Sequence, residues 1–147
     1  MNTHPDIIRA ASWRDIPESV WPWPNFTPYE MRSHDDGSVY VDWLFMEKLQ
    51  NIRAACGFAL PVNSGYRTPA HNQSIGGTPD GPHTTGHAAD IKVHGTQAYE
   101  LIELAVAAGM TGVGVGQRAK NRDQRFLHLD DLSSKIDDVG HVIRPRP

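Results

Sequence analysis

The chain has 147 residues, of which 39% are hydrophobic, and this composition supports one hydrophobic core. Its formal net charge of −3 comes from 14 basic and 17 acidic residues spread along the sequence. There is no basic block suited to a phosphate backbone or an anionic membrane. We therefore expect a single domain over residues 1–147 that binds no nucleic acid. No run of about 18 apolar residues is present, so no membrane insertion is expected.

The N-terminal sequence MNTHPDIIRAASWRD lacks the basic region and apolar core of a secretory signal. The single cysteine, Cys56, lies in an apolar helical pattern and can form no intramolecular disulfide. We expect a monomer that is made in the cytoplasm of the producing cell.

The first forty residues (1–40) contain the stretch WPWPNFTPYEM, in which each proline removes an amide donor and restrains the residue before it. No long regular element is expected there. The segment is predicted to be an irregular wrap that packs Trp21, Trp23 and Phe26 onto the body of the domain. Alternatively, Trp13, Trp21 and Trp23 form a platform on which a ligand stacks.

Residues 42–55, DWLFMEKLQNIRAA, predict a helix, because Leu49 and Ile52 recur at helical spacing. Asp42 is a plausible N-cap and Gly57 a plausible stop. The rest of the chain alternates between short strands, a loop and a second helix. The predicted elements are a strand in 60–67, a loop over 68–82, a strand at 88–94, a helix at 97–108, and strands at 111–116 and 125–131.

This order of elements, without regular alternation of strands and helices, favours an α+β fold. We expect a small, mostly antiparallel sheet flanked by helices. Residues 41–131 are the predicted core of the domain and residues 132–147 an extended C-terminal tail.

Polar side chains alternate with apolar ones on two of the predicted strands. In HAADIKV, Asp90 lies on the face opposite Ile91, and in RFLHLDD, His128 and Asp130 lie on the face opposite Leu127. Each strand therefore carries groups that can bind a metal on the face that points away from the core. If the two strands are neighbours, Asp90 and His128 converge.

The turn at Gly86 can bring His83 to the same point. Two imidazoles and a carboxylate suit a divalent metal, zinc above all, and leave a fourth position for water. Taken singly, however, His128 and Asp90 also fit a solvated strand face. His87 forms an alternative pair with His83, but Gly86 argues against a helix there, so His87 is expected at the rim or surface. The other histidines lack partners that would complete a metal site and are expected to be structural or exposed: His4, His34, His71, His94 and His141. His71 is a possible exception, because it lies on the long loop.

Three linked motifs occur in order: SGYRTPAHN at 64–72, HTTGHAAD at 83–90 and FLHLD at 126–130. In these motifs the sequence resembles the zinc D-alanyl-D-alanine carboxypeptidase and murein endopeptidase family. Relatives include vancomycin-resistance dipeptidases, phage endolysins and the hedgehog signalling domain. The resemblance covers roughly residues 51–131 and implies a hedgehog/DD-peptidase-like fold, with a zinc site on the exposed face of the sheet.

The resemblance implies that zinc is bound by His83, Asp90 and His128. It also places Arg67 beside the metal, where a guanidinium can contact a substrate oxygen and stabilise an oxyanion. A plain salt bridge that holds the loop is the alternative role for Arg67. The neighbouring motif residues Ser64 and Tyr66 are candidate substrate-binding residues, although bracing of the turn explains them as well.

The general base is where the sequence departs from the family. Several members carry an acid three residues before the last histidine ligand, and here that position is Arg125, which cannot accept a proton. Asp130 is therefore a candidate catalytic residue, either as the base or as the group that orients a zinc-bound histidine. Asp123 and Asp131 are weaker candidates and are expected to be surface carboxylates.

The resemblance implies a zinc metallopeptidase that hydrolyses the peptidoglycan stem peptide, at D-Ala-D-Ala or at L-Ala-D-Glu. A phage endolysin or virion-associated wall hydrolase fits this interpretation. A catalytically silent, zinc-binding structural domain is the alternative, favoured by the missing acid at Arg125. A third possibility is a carbohydrate or peptide binder that uses Trp13, Trp21 and Trp23.

Overall fold

The computed structural model describes residues 3–132 and 142–143, which form an α+β fold with two antiparallel sheets. A two-stranded sheet pairs β1 with β2, and a five-stranded sheet has the order β3-β4-β6-β5-β7. The strands are β1 (Ile7–Ala10), β2 (Val39–Asp42), β3 (Val62–Ser64), β4 (Ala88–Lys92), β5 (Gly112–Gly116), β6 (Phe126–Asp130) and β7 (Val142–Ile143). The helices are α1 (Pro28–Met31), α2 (Trp43–Cys56), α3 (Pro69–Ser74) and α4 (Gly95–Ala107).

Helix α2 confirms the helix predicted from its apolar stripe. Its N-cap is Asp42, whose carboxylate accepts a hydrogen bond from the Phe45 amide at 2.9 Å. It ends at Gly57, which adopts the left-handed conformation with φ of 74°. Leu49 and Ile52 are buried, so the predicted stripe faces the core.

Strands β4 and β6 lie side by side and carry the alternation that the sequence predicted. They pair antiparallel, and Asp90 stands directly opposite His128. Ile91 and Leu127, on the other face, are completely buried and belong to the core that also contains residues of α2 and α4. The sheet therefore presents one apolar face to the helices and gathers polar groups on the other.

The N-terminal segment packs as expected but contains a strand that local patterns did not predict. Trp23 and Phe26 are 2% and 1% exposed, and the Trp23 indole donates to the Glu47 carboxylate at 2.9 Å. Trp13 and Trp21 are half-buried, and together with Trp23 they line a cavity of about 490 Å³. Because Trp23 is almost completely buried, it offers little surface on which a ligand could stack.

Strands β1 and β2 were both missed, because four residues each carry too little periodicity to be recognised. The two strands lie about thirty residues apart in sequence, and Ile8 stands opposite Val41. Such a contact depends on the path of the intervening chain, which short-range patterns do not report.

The predicted loop over 68–82 was wrong in part, because it contains helix α3. Thr68 caps this helix by accepting a hydrogen bond from the His71 amide at 3.1 Å, and Pro69 occupies its first turn. A six-residue helix rich in polar side chains has no apolar stripe to distinguish it from a loop.

Most of the predicted C-terminal tail, residues 132–147, lies outside the described residues. Val142–Ile143 form strand β7, which pairs with β5 at the edge of the larger sheet. This stretch is thus part of the sheet. Over the described ranges, no helix is both long and apolar enough to cross a lipid bilayer.

Candidate metal centre and cleft

Three side chains converge on the polar face of the sheet: His83, Asp90 and His128. Asp90 Oδ1 lies 3.1 Å from His83 Nε2 and 3.0 Å from His128 Nδ1, and these two nitrogens are 3.2 Å apart. Their ligand atoms are close enough to share one metal ion. The structure therefore brings together the three residues that strand alternation and the turn at Gly86 had suggested.

Each of the three residues reaches the cluster through a different element. The paired register of β4 and β6 supplies Asp90 and His128. His83 lies on a short 3₁₀ turn, Pro82–Thr85, which ends at Gly86 with φ of 80°. A Cβ at Gly86 would lie 2.8 Å from the carbonyl oxygen of Tyr40, so the turn needs glycine for both its conformation and its close packing.

Hydrogen bonds on the outer side of the two rings fix which nitrogens face inward as electron-pair donors. His83 Nδ1 donates to the Gly65 carbonyl oxygen at 2.7 Å, because a carbonyl can only accept. His128 Nε2 donates to Asp130 Oδ2 at 2.7 Å. Each ring thus turns its other nitrogen toward the Asp90 carboxylate. Three electron-pair donors at this separation are stabilised by a cation between them.

The spacing also fits a small divalent ion. A tetrahedral zinc site with ligand distances of about 2.0 to 2.1 Å has edges of about 3.3 Å between ligand atoms. The three separations of 3.0 to 3.2 Å come close to that value. Small outward movements of the side chains are enough to admit the ion.

The cluster is more enclosed than the expected exposed sheet face. His83 and His128 are completely buried, and the Asp90 side chain is 12% exposed. Burial acts to raise the pKa of Asp90, but the two adjacent imidazoles hold it well below its usual range. Burial acts to lower the pKa of His128, whereas Asp130 and Asp90 raise it to about 9. Protons and a metal ion therefore compete for the same electron pairs.

Arg67 is fixed beside the cluster by three side chains. Its Nε donates to Ser64 Oγ at 2.9 Å, one terminal nitrogen to Asn72 Oδ1 at 3.0 Å, and the other to Asp90 Oδ2 at 3.1 Å. Asp90 thus uses one oxygen for the metal cluster and the other for the guanidinium. The Arg67 side chain is 16% exposed and lines the cleft, so a ligand can reach it.

Asn72 is a site residue that residue-by-residue reasoning missed, although it ends the SGYRTPAHN motif. It is completely buried, and its Nδ2 donates to the Thr78 carbonyl at 2.6 Å while its Oδ1 holds Arg67. A Cβ on Gly77 would lie 2.5 Å from Asn72 Nδ2, so the glycine allows the loop to close over the amide. A buried side chain with both polar ends paired is a strong constraint on its neighbours.

Ser64 and Tyr66 occupy different positions. Ser64 lines the cleft and holds Arg67. The half-buried ring of Tyr66 packs instead near Tyr40, with centroids 5.9 Å apart, and burial raises the pKa of its hydroxyl. Tyr66 is not among the described residues that line the cleft cavity.

The carboxylates considered as bases fall in three environments. Asp130 is completely buried, with Oδ2 bonded to His128 and Oδ1 accepting from the Leu132 amide at 3.1 Å. Asp123 is 76% exposed, as expected for a surface carboxylate. Asp131 was expected at the surface, but its side chain is only 4% exposed. This expectation was wrong because the strand end folds back against α2.

Asp131 belongs to an ion-pair network behind the metal cluster. His87 Nδ1 lies 2.6 Å from Asp131 and its Nε2 lies 3.7 Å from Asp42, while Lys48 donates to Asp131 at 2.9 Å. His87, Asp42 and Asp131 are also close enough to share an ion. The Lys48 ammonium already occupies one Asp131 oxygen, however, and would repel a metal cation.

Arg125, which stands in place of the acid found in several relatives, points away from the cluster. Its Nε donates to the Ala119 carbonyl at 2.7 Å, and it lines a separate cavity together with His94. The cleft next to the metal cluster has a volume of about 510 Å³. It is lined by His34, Asn63, Ser64, Arg67, His71, Ile75, Asp90 and Phe126.

Comparison with known families agrees with this geometry. A profile of the family described as Peptidase M15 matches residues 24–130, more than two thirds of the chain. The chain belongs to the Peptidase M15 family. Peptidases of this family are metal-dependent, so the chain is a metallopeptidase by membership, and the His83 cluster is its candidate metal site. A search of curated proteins finds no match.

Proposed function

We propose that this M15 peptidase is a zinc-dependent hydrolase of the bacterial peptidoglycan stem peptide. The observation that carries the proposal is the convergence of three electron-pair donors beside a firmly held guanidinium. Two histidines and one carboxylate are a typical ligand set for catalytic zinc, which keeps an open position. Family membership supports peptide hydrolysis, and the resemblance in the three motifs supports the choice of the stem peptide.

The residues divide the work in this proposal. His83, Asp90 and His128 hold the ion, and zinc when bound supplies a Lewis acid and a nucleophilic water near neutral pH. Arg67 lines the cleft beside the metal cluster, and its guanidinium binds the carbonyl oxygen of the scissile bond as negative charge develops on it. A guanidinium fixed in advance is effective because it needs no reorganisation during the reaction.

Asp130 orients the metal ligand rather than accepting the proton of the water. Both of its oxygens are engaged by His128 and Leu132, and it is closed to the cleft by burial. A carboxylate behind a ligating histidine fixes the ring and raises its basicity. Of the two roles that the sequence left open for Asp130, this arrangement supports the orienting one.

The catalytic core in this proposal is residues 41–131, and the substrate is the stem peptide at D-Ala-D-Ala or L-Ala-D-Glu. We propose that the protein works as a phage endolysin or virion-associated wall hydrolase. The competing function, a silent zinc-binding structural domain, draws on the absence of an acid at position 125. Arg125 itself turns toward a separate cavity, and the cleft beside the metal cluster stays open to a substrate, which supports the hydrolase.

Digestion of purified murein tests the proposal. The muropeptides released with zinc, and with a chelator in place of zinc, are separated and identified by mass spectrometry. We expect zinc-dependent products that reveal the cleaved bond, and no products from His83→Ala. His94→Ala, at an exposed histidine on the other cavity, is the matched control and should retain activity. Absence of products from a zinc-loaded, folded protein would favour the silent domain.

A further inference from the structure

Two histidines on the cleft wall have no role in the metal cluster. His71 lies on α3, and His34 lies in the segment between α1 and β2. Their ring centroids are 6.3 Å apart, and both rings line the cavity that Arg67 and Asp90 also line. Two segments far apart in sequence thus bring imidazoles to one wall of the substrate cleft.

The ionisable groups of this wall are mostly basic. Asp90 is the only carboxylate among the described residues that line the cavity, and it is already engaged by Arg67 and the metal cluster. The other ionisable lining residues are Arg67, His34 and His71. Neither imidazole forms a side-chain hydrogen bond within the described part of the chain. The wall therefore offers imidazole N–H groups beside the positive charge of Arg67 to whatever enters.

The pKa of His34 also indicates that few negative charges lie near this wall. Burial lowers the pKa of His34, and repulsion from Arg32, His71 and Arg67 lowers it further. The opposing carboxylate is Asp35, whose oxygens accept hydrogen bonds from Ser33 and Thr68. Crowded positive groups in a concave site become favourable when an anion binds among them.

We propose that His34 and His71 form a carboxylate subsite of the cleft, next to Arg67. The subsite binds a carboxylate of the peptide substrate and holds the peptide so that its scissile carbonyl lies at the guanidinium and the metal. Ile75 and Phe126 line the same cavity and supply apolar contact for a small side chain near that carboxylate. This inference rests on the proposed peptidase function and adds a determinant of specificity to it.

Binding can be measured without turnover. Zinc-loaded protein is titrated with N-acetyl-D-alanine and, as control, with N-acetyl-D-alaninamide, while NMR follows the histidine C2 protons. We expect the carboxylate to shift the signals of His34 and His71 and to raise the pKa of His34 by about one unit, because an opposite charge within reach favours the imidazolium. The amide should leave both signals unchanged. Unchanged His34 and His71 signals at saturating N-acetyl-D-alanine would overturn the subsite.

Variants separate this subsite from direct binding of the carboxylate to the metal. The double variant His34→Gln/His71→Gln should lose most of the affinity for N-acetyl-D-alanine and keep its zinc content. His94→Gln is the matched control, since His94 is exposed and lines a different cavity. Full affinity in the double variant would mean that the metal alone binds the carboxylate, and would contradict the inference.

A kinetic comparison distinguishes failure of the subsite from failure of the proposed function. Two stem-peptide substrates are compared, one with its free carboxylates and one with them amidated. We expect the kcat/KM of the free acid to exceed that of the amide by at least about tenfold, as for a lost charge-assisted hydrogen bond. In the double variant the ratio should fall toward one, mainly through KM. Hydrolysis with an unchanged ratio overturns the subsite and leaves the peptidase function intact. NMR shifts without any hydrolysis overturn the peptidase function and support the anion site.

Discussion

The position of the Arg67 guanidinium depends on the side chains that accept its hydrogen bonds, and Asn72 is one of them. Asn72→Ala removes one anchor of Arg67 and the shorter of two hydrogen bonds to the Thr78 carbonyl, which keeps the one from the Gly81 amide at 3.3 Å. We expect kcat/KM to fall by about 10- to 100-fold, since small misplacements of a catalytic group are costly. The free energy of unfolding should fall by about 1 to 3 kcal/mol.

Steady-state kinetics and denaturant unfolding measure these two effects separately. Asn121→Ala is the control, because Asn121 caps an exposed 3₁₀ turn away from the cleft. Wild-type kinetics in a folded Asn72→Ala protein would show that Arg67 is positioned without Asn72.

The interaction between Asp130 and His128 predicts a loss of metal affinity. In Asp130→Asn the side chain keeps its shape but loses the charge that supports the His128 ring. We expect zinc to bind about 10- to 100-fold more weakly, as for other carboxylates behind metal-bound histidines. Competition with a chromophoric chelator measures this affinity. Asp123→Asn changes an exposed carboxylate and should bind zinc like wild type. Equal affinity in Asp130→Asn would argue that Asp130 serves another purpose.

At the scale of elements, the turn before β4 must place His83, and Gly86 makes this turn possible. Gly86→Ala introduces both strain at φ of 80° and a close contact with the Tyr40 carbonyl. Gly57→Ala is a matched control, because Gly57 has φ of 74° but open space around its Cβ position. Gly57→Ala should cost about 1 kcal/mol of stability from strain alone.

Gly86→Ala should be destabilised by at least about 1 kcal/mol more, and should bind zinc more weakly because His83 is displaced. Chemical denaturation and zinc titration of the two variants provide the comparison. Equal stability and equal affinity would show that the turn adapts without moving His83.

The His87 network joins three elements: the start of α2, the turn before β4 and the end of β6. The hydrogen bond to Asp131 raises the pKa of His87 despite its partial burial, with further support from Asp42. Burial acts to raise the pKa of Asp131, but His87 and Lys48 lower it. Because the pKa of His87 is raised on folding, His87 stabilises the fold fully at pH values below its unfolded pKa of 6.5, and this stabilisation is lost as the pH rises through its folded pKa.

Because the pKa of Asp131 is lowered on folding, Asp131 stabilises the fold at pH values above its unfolded pKa of 3.8, and this stabilisation is lost as the pH falls through its folded pKa.

The network should therefore contribute most between about pH 4 and 6.5. We expect His87→Gln to lower the free energy of unfolding by roughly 1 to 2 kcal/mol at pH 5.5, and by less above pH 8. Urea unfolding of both proteins across this range measures the difference. A difference that does not change with pH would mean that His87 stabilises through packing rather than charge.

Elements with a strong local period could be predicted from the sequence. Asp90 and His128 were each predicted to lie opposite the apolar face of their own strand because strand side chains alternate regularly, whereas the pairing of the two strands is seen only in the fold. Helix α2 followed from its cap and apolar stripe. Asp131 and strand β1 were misjudged because their partners lie far away in sequence, which no local pattern encodes.

At the scale of the whole molecule, the M15 fold gathers the cleft from distant segments. The motif residues of the metal cluster could be found in advance because each motif is contiguous. The role of Asn72 and the pairing of His34 with His71 could not, since they depend on how α3 and the segment before β2 pack together. The buried cluster of three donors also implies that metal and fold are coupled.

Crystallography at the zinc absorption edge tests the central claim most directly. Protein crystallised with zinc should show one strong anomalous peak, about 2.0 to 2.2 Å from His83 Nε2, Asp90 Oδ1 and His128 Nδ1. His83→Ala crystals should lack that peak. A peak at Asp42, His87 and Asp131 instead, or no peak at the His83 cluster in zinc-saturated crystals, would contradict the account.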